Sequence, residues 1–448
     1  MNSVLQRVYG LHRVRELLPI VSKHGWFAIL AIVFALPFGA PAARCAQATA
    51  QAFPPLTLDE AMRLALEHNQ SLRAQRLNIE QARANEITAA LKPNPVFNNV
   101  NEDFQIFNPS NLTLDNIKTN QEFTNSVTYT LERGGKRQKR IQVAQDTTDV
   151  TAKSVTDAER QLRFQVAQAF INVLLAKSNL EFAGEDLNNF TKVVEINRSR
   201  LAAGDISEAD YLKIALQKLQ FEQDVSAAEV ALVQGKAALR QLVGYETVPE
   251  DFDVAGELKH GKYTITQAEL ERQALLERPD FLAAQSAVKL ANDTVTLAYG
   301  NRARDLTWEG EYKRNGTING VGFGLSIEIP IHDRNQGEIA RSKVAARQAV
   351  VAAEATQIGV LTDVLSAYAG YRTSDQVVSL YESGYLKQAT DSRDISNYAY
   401  SKGAASLLDL LDAERSYRAT QLAYRQALAA YMTSVEQINF VVGKKVMQ

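Results

Sequence analysis

The chain has few of the residues that covalent, redox or metal sites require. Its 448 residues include one cysteine, Cys45, so no disulfide framework, zinc ribbon or thiol redox centre can form within one copy. The five histidines are scattered without a His-x-x-x-His spacing, and no nucleophile, base and orienting residue can be grouped. We therefore expect no metal cluster, no cofactor and no enzymatic activity.

Proline, glycine and net charge are also low. Eleven prolines and 23 glycines exclude collagen-like, mucin-like and disordered linker proteins, and they favour long regular segments. The 49 basic and 51 acidic residues leave a formal charge of -2, which offers no general attraction to nucleic acid. Any function that depends on charge must come from local clusters, and we expect no nucleic-acid partner.

An apolar run near the N-terminus, from Trp26 to Phe38, follows several basic residues. It is shorter than the roughly 20 apolar residues that a membrane-spanning helix needs, and it is typical of a signal peptide. We assign residues 1–52 to this signal, with cleavage after about residue 48 or 52, where Ala-Gln-Ala sites lie. A signal anchor that stays in place is the alternative.

Cys45 lies inside this segment. A bacterial lipoprotein signal places a small residue immediately before its cysteine, whereas Arg44 stands there. We therefore do not expect lipidation, and Cys45 is removed with the signal. The mature chain then contains no cysteine.

The rest of the chain consists of two similar halves. Residues 56–72, LTLDEAMRLALEHNQSL, pair with residues 265–281, ITQAELERQALLERPDF. Residues 201–207, LAAGDIS, likewise match residues 400–406, YSKGAAS. We assign residues 53–254 to a first repeat and residues 255–448 to a second, each with a helix, two strands and a long helical hairpin.

Helical periodicity dominates both repeats. No proline interrupts the pattern from Lys136 to about Arg200, or from about Gly337 to Lys402. A continuous helix of about 65 residues would be roughly 95 Å long, which no compact domain needs. Gly204 and Gly403 are expected to end these rods.

Each rod carries apolar residues in alternating steps of four and three, the spacing of a coiled-coil seam. The stripes are Leu162, Val166, Ala169, Val173, Ala176 and Leu180 in the first rod, and Val360, Val364, Ala367, Tyr371, Ser374 and Val378 in the second. After the rods, Ser207 and Ser406 are placed to cap the return helices.

Four segments between the helices alternate with the period of two that is typical of strands. Their more apolar faces are predicted to be Val96, Asn98, Val100, Glu102, Phe104 and Ile106; Phe123, Val127, Tyr129 and Leu131; Leu306, Trp308 and Tyr312; and Val321, Phe323, Leu325, Ile327 and Ile329. The first strand is the least regular of the four and the last is the clearest.

Strands of about ten residues with one apolar face match the wall of a membrane β-barrel. In a soluble protein the same alternation describes a half-buried sheet, but the export signal and the aromatic residues favour the membrane. Four strands cannot close a barrel, and open strand edges are not tolerated in lipid. The chain must therefore oligomerise, and three copies would supply twelve strands.

Taken in order, these motifs resemble those of the TolC family of outer-membrane efflux ducts, over essentially the whole mature chain from Leu56 to Gly443. The resemblance depends on LTLDEA at 56–61, LERGGKR at 131–137, IPIHDRNQG at 329–337 and the sequences around Gly204 and Gly403. The GGKR and DRNQG pair is most similar to the branch that serves cobalt, zinc and cadmium efflux.

The resemblance implies a mainly α-helical chain that forms a homotrimer. Its twelve-stranded barrel would lie in the lipid of the outer membrane of a Gram-negative bacterium, and twelve helices would form a tunnel through the periplasm. The trimer would dock on a periplasmic adaptor and an inner-membrane pump of the resistance-nodulation-division type. Such proteins are passive conduits that open and close at the periplasmic tip.

Two aspartates match the family's acidic periplasmic constriction by position. Asp409 and Asp412 are three residues apart, which places both carboxylates on one helix face. A solvated outer face is the alternative. Asp210 and Lys213 occupy the equivalent positions in the first repeat, so the two tips cannot carry identical roles.

The resemblance also assigns two further sets of residues. The tip residues expected to face the adaptor are Leu201, Gly204, Ser207, Gly403 and Ser406. The strand-to-helix junctions are Gly134, Gly135, Lys136 and Arg137 in the first repeat, and Asp333, Arg334, Asn335 and Gly337 in the second. The first junction lacks the residue order of a nucleotide-binding P-loop, so we expect turning glycines and cations near lipid headgroups.

A periplasmic coiled-coil scaffold or adaptor is the main alternative to a duct. Adaptors carry one helical hairpin beside a lipoyl-like domain, whereas this chain duplicates its hairpin. The cargo, metal cations or small toxic compounds, cannot be read from the residues. A mature chain with no cysteine and only three methionines, Met62, Met432 and Met447, offers no soft metal path, so metal specificity is expected to reside in the pump.

Overall fold

The structure of the protein is a computed structural model that describes residues 54–102, 110 and 113–447. The expected signal peptide, residues 1–52, lies outside the described residues. So does the far end of the first predicted strand, with Phe104 and Ile106.

The same order of elements occurs twice along the described chain. The first half contains helices α1 (Leu58–His68) and α2 (Gln70–Ala90), strand β1 (Val96–Glu102), helix α3 (Leu114–Asn120), strand β2 (Glu122–Leu131) and the hairpin of α4 (Lys136–Ala203) and α5 (Glu208–Val243). The second half contains α6 (Gln267–Glu277), α7 (Pro279–Asn301), β3 (Leu306–Asn315), β4 (Ile318–Ile327) and the hairpin of α8 (Gln336–Leu380), α9 (Leu386–Ser401) and α10 (Leu407–Val442). Helix α3 was not predicted, and the boundary between repeats at residues 254 and 255 stays a prediction.

The two rods differ in continuity. Helix α4 runs without a break for 68 residues, about 100 Å at 1.5 Å per residue. The second rod is interrupted between α8 and α9 by a π-helical turn, Tyr381–Tyr385, in which Gly384 has a φ of 142°. The predicted continuous helix from Gly337 to Lys402 is therefore wrong at this turn, because Gly384 adopts a backbone conformation outside the helical range.

The heptad stripes form two cores. Val166 and Val173 in α4, like Val360 and Val364 in α8, are completely buried. The first stripe packs against α1 and the end of α5, and the second packs against α6 and α10. Leu258, near the start of the second repeat, contacts both cores, so the two halves are joined at this level.

The strands form one antiparallel sheet in the order β1-β2-β3-β4. Tyr129 pairs with Trp308, and Trp308 pairs with Leu325, so these residues share one face. On β4 this face is highly exposed, with Phe323 at 88%. Strands β2, β3 and β4 therefore carry the predicted apolar face.

Strand β1 differs from the prediction. Its register places Phe97 opposite Val127 and Val96 opposite Thr128. Phe97 therefore belongs to the apolar face, whereas Val96 and Val100 lie on the polar face, opposite to our assignment. The alternation within β1 is imperfect, and the backbone pairing with β2 decides which side chains share a face.

Two glycines turn the chain from β2 into α4. Gly134 and Gly135 have φ values of 70° and 65°, in the left-handed region that favours glycine. A Cβ on Gly134 would lie 2.6 Å from both the Cβ of Ala303 and the carbonyl oxygen of Gly300, whereas a Cβ on Gly135 would meet nothing within 4 Å. Gly134 is therefore required by close packing as well as by the turn.

The cations after these glycines bind protein groups. The Nζ of Lys136 lies 2.8 Å from both carboxylate oxygens of Asp305, just before β3, and the lysine side chain is only 13% exposed. The Nε of Arg137 donates to the carbonyl of Ala90 at 2.6 Å. The charge of Lys136 is thus paired and largely buried within the chain, and the expectation of cations near lipid headgroups stays a prediction.

The second junction uses an asparagine where the first uses glycine. Asn335 has a φ of 59°, and its side-chain amide donates to the carbonyl of Ala298 at 2.7 Å. The Asp333 carboxylate accepts from the Asn335 backbone N–H at 2.8 Å, and Gln336 accepts from that of Arg334. Asn335 tolerates the left-handed conformation and is tied to α7, while Gly337 already lies within α8.

We predict that Gly134→Ala destabilises the folded protein more than Gly135→Ala does. Both changes carry the cost of a left-handed non-glycine residue, about 1–2 kcal/mol, but only the first adds a clash with the end of α7. Thermal unfolding of the purified, detergent-solubilised protein measures the difference, with Gly135→Ala as the matched control. Equal melting temperatures would show that the contact with α7 is not required.

Candidate functional site at the helical tips

The tips are the turns that join the two helices of each hairpin. Gly204 follows α4 with a φ of 81°, and Gly403 follows α9 with a φ of 74°. A Cβ on either glycine would meet no atom within 4 Å, so these glycines serve the turn rather than close packing. Both turns are exposed, as is Ser207, while Leu201 is half-buried.

Ser406 and Asp409 cap the start of α10 reciprocally. The hydroxyl of Ser406 accepts from the backbone N–H of Asp409 at 3.2 Å, and the Asp409 carboxylate accepts from the backbone N–H of Ser406 at 3.0 Å and its hydroxyl at 2.7 Å. These hydrogen bonds hold the pKa of Asp409 below its ordinary value. Asp409 therefore stabilises the start of α10, a role that we did not predict from the sequence.

The first tip has a similar cap with a different charge beyond it. Ser207 accepts from the backbone N–H of Asp210 at 3.1 Å and donates to its carboxylate at 2.8 Å. Lys213 lies one turn further along α5 and its Nζ is 3.3 Å from Asp210. In the second tip this place belongs to Asp412, whose side chain is 72% exposed and whose nearest cation, Arg415, is 4.0 Å away. At these two matched positions the second tip has two carboxylates, whereas the first has one carboxylate and one ammonium group; the other carboxylates of the first tip belong to Asp205 and Glu208.

A buried hydrogen bond joins the two hairpins near the tips. The hydroxyl of Tyr400, in the last turn of α9, donates to the side-chain oxygen of Asn197 on α4 at 2.8 Å. Asn197 is only 1% exposed and its amide donates to the carbonyl of Val193. Burial raises the pKa of Tyr400, so the phenol stays protonated and remains a donor.

A charged cluster lies further from the tips. Arg418 on α10 contacts Asp186 on α4, with Nε 2.8 Å from the carboxylate, and it also pairs with Asp224 on α5. Its guanidinium stacks over the ring of Phe221, 4.1 Å from the centroid. Burial, and next the charge of Asp186, raise the pKa of Glu414 on α10 to about 7. One arginine thus connects three helices of the two hairpins.

Sequence reasoning found the tip turns and the paired aspartates but missed the residues that join the hairpins. Tyr400, Asn197, Asp186 and Arg418 lie on different helices, so no short motif contains them. The sequence feature that could have revealed them is a polar residue at a helix position where the periodic pattern predicts a buried side chain. Asp186 and Asn197 are such residues, with 6% and 1% of their surface exposed. Asp305 at the first junction was also missed, because it lies 169 residues from its partner Lys136 and no short motif contains both.

Two helices leave apolar stripes uncovered within one chain. On α5, apolar side chains that are at least half exposed form two groups with four- or three-residue steps, separated by eleven residues, and on α8 a stripe recurs every seven residues. These residues are Leu212, Leu216, Leu219, Val230 and Val233, and Val344, Val351, Ile358 and Leu365. One stretch of the 336–401 rod is long and apolar enough to cross a membrane by composition, although only 11% of it is buried within the chain.

The sequence and the fold are both similar to those of known proteins. The chain is 24% identical over 396 residues to the cobalt-zinc-cadmium resistance protein CzcC of Cupriavidus metallidurans, covering 88% of this chain and 91% of CzcC. A crystal structure of CusC superposes with a TM-score of 0.72 at 20% identity, covering 88% of this chain and 93% of CusC. The CmeC outer membrane channel of Campylobacter jejuni also gives 0.72, at 16% identity, with 87% of each chain covered.

These solved structures show the same fold. Together with the family match that follows and the named relatives, they do not favour the alternative of a periplasmic scaffold. The sequence profile of the outer membrane efflux protein family matches residues 61–245 and 270–444, which are most of both halves. The chain therefore belongs to the outer membrane efflux protein family.

Proposed function

We propose that three copies of the chain form the exit duct of a tripartite efflux system. The observation that supports this most directly is the sheet, whose order leaves β1 and β4 as open edges beside an exposed apolar face. In lipid, unpaired backbone groups are too costly to persist, so each edge must find a partner. Pairing β1 of one copy with β4 of the next closes a twelve-stranded barrel.

The uncovered stripes on the helices support the same assembly. An apolar seam of residues at four- and three-residue spacing is the pattern by which helices pack side by side in coiled coils. In a trimer, the α5 stripe and the α8 stripe would each be covered by a neighbouring copy. The apolar stretch in the 336–401 rod then needs no membrane of its own.

In a tripartite efflux system, the helical tips would contact the adaptor protein. We propose that Leu201, Gly204, Ser207, Gly403 and Ser406 face a periplasmic adaptor, which in turn contacts an inner-membrane pump of the resistance-nodulation-division type. Exposure of the tip turns and of Ser207 and Ser406 supports this assignment. The names of relatives, a cobalt-zinc-cadmium resistance protein and cation efflux system proteins, support metal cations as the cargo.

We propose further that Asp409 and Asp412 line the closed periplasmic end. Three-fold symmetry would place six carboxylates around one axis, and such crowding favours cations over anions. Because the pKa of Asp409 is held low, its carboxylate is charged at neutral pH. Its negative charge, and the helix cap it forms, are lost only as the pH falls through that lowered pKa.

The barrel can be tested by disulfide cross-linking, because a mature chain without cysteine has no background thiols. A cysteine replacing Asn99 on β1, combined in turn with cysteines at positions 319–325 of β4, should cross-link at one register. The product on a denaturing gel should contain three chains. A ladder that stops at two chains, or extends beyond three, would contradict the proposed closure.

The matched control pairs Thr128→Cys with Glu309→Cys. These residues lie opposite each other on β2 and β3 of one chain, so their disulfide should close within the monomer and leave no ladder. An intermolecular product from this control would show that the cross-links report collision rather than strand pairing.

The gate can be tested by single-channel recording in planar bilayers. We predict that Asp412→Asn lowers the preference for cations severalfold and weakens block by divalent cations added from the tip side, because it removes three exposed charges per trimer. Asp409→Asn should lower selectivity as well and also weaken the cap of α10, so its trimer should melt earlier.

Asp210→Asn is the control, since it removes the equivalent cap carboxylate from the first tip, where Lys213 follows. It should weaken the cap of α5 and leave cation preference unchanged. A double variant of Asp409 and Asp412 with the selectivity and block of the wild type would place both residues on a solvated outer face.

A further inference from the structure

The segment between the two cores, residues 256–266, crosses the second hairpin, and we call it the strap. The hydroxyl of Tyr431 on α10 donates to the carbonyl of Gly261 at 2.5 Å. The hydroxyl of Tyr368 on α8 donates to the carbonyl of Ile265 at 3.5 Å. The strap therefore contacts both long helices of the second repeat.

One histidine of the strap reaches the interrupted rod. The side chain of His260 is 7% exposed, and its ring nitrogens face two carboxylates on either side of the end of α8. Nε2 lies 2.9 Å from Asp375 in α8, and Nδ1 lies 2.9 Å from Glu382 in the π-helical turn. His260 thus bridges the regular helix and its interruption.

Both contacts exist together only when His260 is protonated. A neutral imidazole has one N–H donor and one acceptor, whereas a carboxylate only accepts, so two carboxylates require the imidazolium. In the neutral ring, one nitrogen lone pair would face a carboxylate oxygen at hydrogen-bond distance. That contact would be repulsive and would have to open.

The surroundings of the ring favour the charged form. Burial alone would lower the pKa of His260, but the hydrogen bonds and charges of Asp375 and Glu382 outweigh it and raise the pKa. Phenols also surround the ring: Tyr431 of α10 meets it edge-on at 4.7 Å, and Tyr371 of α8 and Tyr263 of the strap lie beside Tyr431. In sequence, His260 is flanked in the strap by Lys259 and Lys262. Tyr424 of α10 donates to the other oxygen of Glu382 at 3.1 Å.

The π-helical turn has the properties of a hinge. Sharp bends in helices concentrate at π-bulges and glycines, where the regular hydrogen-bond ladder is broken. Gly384 has a φ of 142° there, outside the helical range, and a Cβ on it would meet nothing within 4 Å, so side-chain packing does not hold the turn at this residue. Glu382 is the residue of the turn that is bound to both the strap and α10.

We propose that His260 is a proton-dependent clasp on a hinge in the second rod. Protonated, it ties the strap to α8 and to the π-helical turn at once. When it loses its proton, one of the two contacts opens, and the turn gains freedom to bend, carrying α9 and the second tip with it. Because the carboxylates raise the pKa of His260, the clasp is closed while the pH is below that raised value and opens as the pH rises through it.

Amide hydrogen exchange of the full-length protein in detergent tests the clasp without reference to transport. Exchange rates corrected for intrinsic pH dependence should rise for peptides spanning residues 376–390 as the pH increases from about 6 to about 9. His260→Gln should exchange roughly tenfold faster there at the lower pH, as expected for the loss of a hydrogen bond between charged groups, and should change little at the higher pH.

His68→Gln is the matched control, because it removes an imidazole that is about half exposed on α1 and should leave these peptides unchanged. Asp375→Asn and Glu382→Gln each replace one carboxylate by a neutral amide and so remove a charge that stabilises the imidazolium; each should move the midpoint of the wild-type transition to lower pH, which decides the question even where His260→Gln fails to fold. Protection of the turn that is independent of pH, or midpoints that do not move in the two carboxamide variants, would overturn the proposal.

Discussion

The constraint on which the rest of the structure depends is that lipid offers no hydrogen bonds to an open strand edge. Four strands ordered β1-β2-β3-β4 leave two such edges, so the sheet cannot serve as a membrane element in one chain alone. Assembly around an axis satisfies the edges and also covers the apolar stripes of α5 and α8. Pairing of the strand edges therefore also determines the position of the rods, because each rod follows a strand after a junction of only a few residues.

Long helices have narrow cores, and this shifts part of their stabilisation to polar contacts. Among the residues that the structure describes, the apolar clusters lie at the level of the strap and in a small group near the tips, Phe190, Ile214 and Phe221. Elsewhere the two hairpins are joined by buried polar pairs such as Tyr400 with Asn197 and Arg418 with Asp186. Breaking one member of such a pair leaves a buried polar group without a partner, which costs more than an exposed pair would. The two hairpins are thus joined near the tips by a few individual polar contacts rather than by a continuous apolar core.

The spacing of apolar residues predicted much of this fold, because it indicates which face of a helix or strand packs against other apolar groups. The strands at Phe123 and Val321, both heptad stripes and the turns at Gly204 and Gly403 were all evident in the sequence. Features that depend on contacts between distant residues were not: the register of β1, the partner of Lys136 and the clasp at His260. The capping role of Asp409 was also missed, although Ser406 three residues earlier was expected to cap the same helix. Of the candidate site, sequence located the residues but not the contacts that decide what each can do.

The interruption of the second rod did leave a trace in the sequence. Leu162 and Val360, which begin the two stripes, are 198 positions apart, whereas Gly204 and Gly403 at the tips are 199 apart. The second rod therefore contains one more residue than the first between its stripe and its tip. A π-helical turn, with its i to i+5 hydrogen bond, accommodates one additional residue without ending the helix.

That additional residue distinguishes the two hairpins. The first has an unbroken rod and Lys213 one turn beyond its cap, whereas the second has the π-helical turn, the bound strap and Asp412 at the position that matches Lys213. A hinge is useful only if what lies beyond it must move, and the charged tip lies about 20 residues beyond, roughly 30 Å along the helix. The flexible point and the charged end thus occur on the same hairpin. On the proposed gate and clasp, the second repeat would be the moving part of the duct, and the first repeat would be the wall against which it closes.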